Sequence, residues 1–145
     1  MWIDRLWNST ATHAIRLTAR FAEERHKILA ENMANIDTPD YRMRRLDPTK
    51  FQSALSDAIG TAKKADAKTL KLRGNAQFST DDAGRLEVSP TTEPPAGVLF
   101  HDGSNTQLES LVSGIQENSM THRLAVNMLR GRFDGLMTAI RGRMQ

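Results

Sequence analysis

Glu23 and His26 stand as Glu-x-x-His inside a stretch of helical periodicity, the spacing with which di-iron bundles project two ligands from one helix face. One such pair is insufficient, because those centres take a second Glu-x-x-His and two further glutamates from neighbouring helices. Neither His101 nor His122 has a glutamate three residues before it, so the pair reads as a solvated helix face and no metal site is expected. His122 falls in a row of apolar residues seven apart, where a polar group fixes register at some cost in stability. Asn32 and Asn118 sit near apolar seams in the same way and read as register-setting hydrogen-bonding groups.

Arg42, Arg44 and Arg45, and the run from Lys63 to Arg73, have the chemistry to contact phosphates. Few aromatic residues interleave with them, and twenty Lys+Arg face seventeen Asp+Glu, a net charge of only +3. A basic helical nucleic-acid-binding module is therefore the alternative reading and not the leading one. Asn8-Ser9-Thr10 matches a glycosylation acceptor, but a three-residue pattern is common by chance. The chain has no Gly-rich phosphate loop, nucleophile elbow or paired-histidine zinc motif. No catalytic residue, cofactor or small-molecule substrate is expected, and the chemistry of this chain is that of packing.

Its 145 residues suffice for one structural domain. Hydrophobic residues make up 39%, aromatics 6%, and the mean hydropathy is −0.51, so apolar surface is scarce for a self-sufficient core. Stabilisation from outside the monomer is expected. There is no cysteine, which removes disulfides and thiolate metal sites. No apolar run reaches the roughly 18 residues of a membrane helix, and the first residues lack the apolar stretch of a cleavable signal peptide.

The elements that position these residues divide the chain into an N-terminal helical half (1–59), an irregular, partly disordered middle (60–103) and a C-terminal helix (104–145). From Thr10 to Ile36 apolar residues recur at helical spacing (Ile15, Leu17, Phe21, Ile28, Leu29, Met33), and Pro39 stops the helix. The segment Asp37-Thr38-Pro39-Asp40-Tyr41 reads as a turn. Asp47-Pro48 predicts an N-cap and first turn, with Phe51, Ala54, Leu55, Ala58 and Ile59 along one face of a short helix ending at Gly60. Phe78 and Thr80 alternate before Asp81-Asp82-Ala83-Gly84, and Leu86 and Val88 after it, predicting a small hairpin with a four-residue loop. Two strands alone are marginal in water, so this hairpin needs a cover.

Ser104 with Gln107 predicts a capping box at the head of the last helix. Leu108, Ile115, His122, Leu129 and Leu136 are seven apart, and so are Val112, Ser119, Val126, Phe133 and Ile140, the pattern of a coiled-coil seam. The predicted fold is mainly α, with the two long helices paired as an antiparallel coiled-coil-like hairpin. The shorter helix would leave part of the longer one uncovered, and that remainder is the expected intermolecular surface. The assembly seam is predicted to comprise Phe21, Ile28, Leu29, Ile115, Val126, Leu129, Phe133, Leu136 and Ile140.

The stretch Glu31-Asn32-Met33-Ala34-Asn35-Ile36-Asp37-Thr38-Pro39-Asp40-Tyr41-Arg42 closely resembles the N-terminal signature of the bacterial flagellar rod and hook proteins. Its Asp-Thr-Pro form is similar to that of a proximal rod protein of the basal body. The family's Asn, Ala, Asn, Asp, Thr, Pro and Tyr positions correspond to Asn32, Ala34, Asn35, Asp37, Thr38, Pro39 and Tyr41. Near the other end, Asp102-Gly103, Glu117-Asn118-Ser119, and Leu129, Phe133, Gly135, Leu136, Ala139 and Ile140 fall where that family's terminal helix has them. The middle carries no resemblance. Asp40 replaces a glycine and Ser104 an asparagine, so a local change in the turn is expected, since Asp takes positive φ less readily than Gly.

The resemblance implies a non-enzymatic subunit of the flagellar rod, exported unfolded through the type III apparatus without a cleaved signal peptide and assembled in the periplasm. The partners it implies are other copies of the chain, other rod proteins, the rod–ring adaptor and the membrane-ring proteins. The role it implies is to build the tubular axis and transmit torque.

Overall fold

In the computed structural model, residues 9–65, 67, 69–73, 76–92 and 103–142 are described, apart from the side chains of 103–107. Helix α1 spans Thr10–Ala34. Ser9, in an extended conformation, starts it by accepting the Thr12 N–H on its hydroxyl at 3.2 Å, which satisfies a backbone donor that a helix start leaves unpaired. Thus Ser9 of the supposed glycosylation triplet serves as a helix cap. The helix ends at Ala34, two residues before the predicted end, with Asn35 as its cap, and the chain turns over residues 35–40. Asp40 takes φ +57°, so this aspartate itself adopts the left-handed conformation that the family's glycine would favour.

Helix α2 covers Pro48–Ala65. The Asp47 carboxylate accepts from the N–H groups of Thr49 and Lys50 at 2.9 and 3.3 Å, as the Asp-Pro pair predicts. The helix runs more than a turn beyond Gly60, its expected end. A glycine inside a helix costs about 1 kcal/mol relative to alanine. Ala62 is buried just beyond it, and Lys63 and Lys64 in the last turn suit the negative end of the helix dipole.

Strands β1 (Arg44–Arg45), β2 (Phe78–Thr80), β3 (Leu86–Val88) and β4 (Thr91–Thr92) form two antiparallel pairs. The predicted hairpin is β2–β3, with Phe78 opposite Val88 and Thr80 opposite Leu86. Its tip is tighter than a four-residue loop. The Asp81 N–H donates to the Arg85 carbonyl at 3.0 Å, and Gly84, at φ +74°, donates to the Asp81 carbonyl at 2.9 Å. A glycine in the left-handed region at the third loop position is the usual solution for a three-residue hairpin loop. The second pair, β1 with β4, was not foreseen.

Gln77 joins the two pairs. Buried itself, it accepts the Asp47 N–H at 3.1 Å and donates to the Thr91 hydroxyl at 2.7 Å and the Arg45 carbonyl at 3.3 Å. The core lies between α1, α2 and this middle segment. Phe21 stacks on Phe51 at 4.1 Å between ring centroids, and Phe78 meets both edge-on, the T-shaped geometry that aromatic quadrupoles favour. Leu70 and Leu72 complete it, so the segment predicted as irregular supplies three of the core's large side chains. The core is also the cover that the hairpin requires.

Helix α3, Gly103–Arg141, has 39 residues, about 58 Å at 1.5 Å per residue. The side chains of the Ser104–Gln107 capping box lie outside the described residues. Across the described residues the fold is mainly helical, with long first and last helices and small antiparallel strands. Among them no helix is long and apolar enough to cross a membrane.

Candidate assembly surface

Two features of α1 and α3 position the surface. The first is where α3 meets α1. The Asn118 side-chain amide donates to the Ala22 carbonyl at 2.7 Å and is buried. Leu29 lies beside Gly114, Arg25 pairs with Glu117 at 3.9 Å, and at the far end Arg132 donates to the Ser9 hydroxyl at 3.4 Å. These contacts run in opposite chain directions along the two helices.

The row of α3 that α1 buries is Leu111, Asn118 and Ala125. The predicted rows flank it: Ile115, His122, Leu129 and Leu136 are half-buried, as are Ser119 and Val126, while Leu108 and Val112 are exposed. The offset has a physical cause. The buried row carries one large side chain, one amide and one methyl, and opposite it stands Ala22, wholly inaccessible, so the helices approach where side chains are small. Periodicity in large apolar residues picks out the flanks of such a contact and not its centre.

The expectation for the two asparagines divides accordingly. Asn118 bonds across the helix contact. Asn32 does not: its amide donates to the Arg44 carbonyl at 2.7 Å and its oxygen accepts from the Arg44 N–H at 3.0 Å and the Tyr41 hydroxyl at 3.1 Å. It is a clamp for the returning chain and sets no register with α3, because the chain after the turn brings unpaired backbone groups of β1 against it.

The same corner gathers the signature residues. Asn35 donates to the Glu31 carbonyl at 2.8 Å, and Thr38 donates its N–H to the Asn35 carbonyl at 3.0 Å, while the Tyr41 N–H bonds the Thr38 carbonyl at 3.3 Å. Ala34, Asp37 and Pro39 are exposed on its outside. Burial, reinforced by Glu31, pushes the Tyr41 hydroxyl above its ordinary range. Arg44, one of the basic cluster, is held by Glu31 at 3.0 Å.

The second feature is what α1 leaves uncovered. Towards the C-terminal end of α3, Phe133, Met137 and Ile140 are exposed. On another face of α3, Met120, Leu124 and Met128 are spaced by four and are at least half exposed. Among the described residues, all the exposed large apolar side chains belong to α3. Of the predicted seam, Phe21 and Ile28 serve the internal core, Leu29, Ile115, Val126, Leu129 and Leu136 are half-buried, and Phe133 and Ile140 are more than a third exposed. Met120, Leu124 and Met128 were missed, since they lie on neither heptad row; their own spacing of four was the available signal.

Charged groups rim the contact. Glu23, His26 and Lys27 face Ser119, His122 and Arg123 across a shallow cleft. The Arg20 guanidinium, bonded at 2.9 Å, holds the Glu23 carboxyl below the usual range, with Lys27 and His122 adding to it. Burial lowers the Arg25 guanidinium, and Glu117 opposes that effect. Among the described residues no three carboxylates or imidazoles are placed to share a metal ion.

A long helix that keeps a run of large apolar side chains exposed is the mark of an interaction surface and fits a structural subunit. Similarity to known proteins gives the class its particular form. The chain is 30% identical over 132 residues to the flagellar basal body rod protein FlgB of Cereibacter sphaeroides, covering 90% of this chain and 91% of that protein. It is 23% identical over 126 residues to the FlgB of Salmonella typhimurium (82% and 84% covered) and 23% identical over 121 residues to that of Bacillus subtilis (83% and 85% covered). No protein-family model matches the chain. The chain belongs to the FlgB family of flagellar basal body rod proteins. It is a structural, non-enzymatic protein of the basal body rod.

Proposed function

We propose that this chain forms part of a tubular rod linking the membrane ring to the distal rod and transmitting torque, with α1 and α3 as an antiparallel coiled-coil-like pair and the rest of α3 covered by neighbours. The observation that carries this reading is that, among the described residues, the exposed large apolar side chains all lie on α3. Fully burying one such side chain contributes roughly 1.5–3 kcal/mol, so Phe133, Met137 and Ile140 together can make a sister subunit bind firmly. One patch docking on a different patch of the next copy generates a helical array and no closed dimer, as a rod requires.

The neighbours in this reading are other copies of the chain, other rod proteins, the rod–ring adaptor and the membrane-ring proteins. The site of assembly is the periplasm. The route there is the type III export apparatus. A thinly covered α3 suits that route: it orders fully only when subunits bury it, so little structure has to be undone beforehand.

The assembly residues in this reading are Leu29, Ile115, Val126, Leu129, Phe133, Leu136 and Ile140, supported from beneath by Phe21 and Ile28. Leu129→Asp puts a carboxylate where α1, α3 and the next subunit meet, and burying it unpaired is costly. The expected result is loss of rods and of motility while the variant is still exported. Normal motility with intact rods in that strain would refute the reading.

A further inference from the structure

The tip of the β2–β3 hairpin rests on α1 at one close approach. Gly84 sits over the His13 imidazole so tightly that a Cβ there would come within 2.8 Å of His13 Cε1. Beneath this turn His13 Nδ1 is enclosed by protein and has no hydrogen-bond partner. The charged groups lining the same cleft are Arg16 and Arg20 from α1, and Asp81, Arg85 and Glu87 from the hairpin. Asp81 is already engaged: it accepts the Arg85 N–H at 2.8 Å and the Arg85 guanidinium at 2.7 Å. Glu87 is directed to the Ser79 hydroxyl at 3.5 Å.

A neutral imidazole can leave Nδ1 as an unprotonated lone pair at modest cost. A protonated one places an N–H there with no acceptor, and adds a positive charge beside Arg16. The other end of the hairpin is fixed independently, because Phe78 is locked in the aromatic core and the Ser89 N–H bonds the Gln77 carbonyl at 2.7 Å.

We propose that His13 is a pH-sensitive latch: its neutral ring seats the hairpin tip on α1, and protonation in mildly acidic surroundings lifts the tip while the hairpin base stays in the core. Burial first, then the Arg16 charge, pushes the His13 imidazole below its ordinary value. Between that lowered value and about 6.5, the value of a free imidazole, the undocked state binds more protons than the docked one. Docking is therefore complete above the free value and weakens as pH falls through this window.

The test is amide hydrogen exchange of the purified full chain, corrected for intrinsic rates, between neutral pH and about pH 5, with the His13 ring titrated by NMR. In the wild type, exchange at residues 82–86 should rise several-fold on acidification while Phe78 stays constant, and His13 should titrate below a free histidine. In His13→Gln the tip should respond no further to acid. An equal acid response in both chains overturns the latch, and so does a wild-type tip whose protection is constant or absent at every pH. If the variant does not dock at all, the wild-type profile alone decides.

Discussion

Phe51 and Phe133 are the same side chain on helices of one molecule, yet Phe51 is 2% exposed and Phe133 is 37% exposed. Phe51 sits where α1, α2 and the hairpin converge, and its ring has two aromatic partners. Phe133 lies near the far end of α3, in a cleft it shares with Thr12 and Arg16 of α1. The inner region encloses its own apolar residues, whereas α3 buries only Leu111, Asn118 and Ala125 among its described side chains. The scarcity of apolar residues in the composition is thus unevenly distributed: the inner region encloses its share, and the last helix keeps large apolar side chains exposed. In the proposed rod, folding and assembly would thereby fall to different residues.

The largest effect expected from this contrast is on the inner ring cluster. Phe51→Ala should destabilise the monomer by about 3–5 kcal/mol in denaturant unfolding, the usual cost of emptying an aromatic core position. Met137→Ala, at an exposed position of α3, should change the same measurement by less than about 1 kcal/mol and act on rod assembly instead. Equal losses of monomer stability in the two variants would erase the distinction between the regions.

The hydrogen-bonded corner and the helix contact come next. Asn32→Ala removes two bonds to the Arg44 backbone and one from Tyr41, leaving buried groups unpaired, so about 2–3 kcal/mol should be lost. Asn118→Ala removes one bond, to a carbonyl within α1, and should cost nearer 1 kcal/mol. Reversal of that order in parallel unfolding experiments would show that the α1–α3 contact, and not the corner, holds the monomer together.

The smallest expected effect is at the turn. Asp40→Gly relieves a left-handed aspartate, worth roughly 1–2 kcal/mol, and adds unfolded-state entropy of about 0.4–1 kcal/mol. A net gain below about 1 kcal/mol is expected in thermal unfolding. A loss would mean that the Asp40 side chain itself holds the turn.

Local chemistry was legible wherever it acts within a few residues. The 3.6-residue recurrence marked α1 and α3, Asp47-Pro48 marked the start of α2, and alternation around Asp81–Gly84 marked the hairpin. The signature at Glu31–Arg42 marked the family. What failed were inferences about partners in space. Asn32 near an apolar row reads as a seam residue until the returning chain is seen to bring the Arg44 backbone to it. Gln77 carries no local sign that it will join β1, β4 and the start of α2. The centre of the α1–α3 contact was displaced from the predicted rows because close approach selects alanine, glycine and an amide, which hydrophobic periodicity does not count.

By itself, then, the order of residues determined the helices, the corner, the absence of cysteine chemistry and the family, since propensity, capping and short motifs depend on neighbours in the chain. Only the tertiary structure decided which apolar residues are enclosed and which are left open. Burial is a property of two surfaces meeting, and the length by which α3 outruns α1 exists only once the two helices lie side by side.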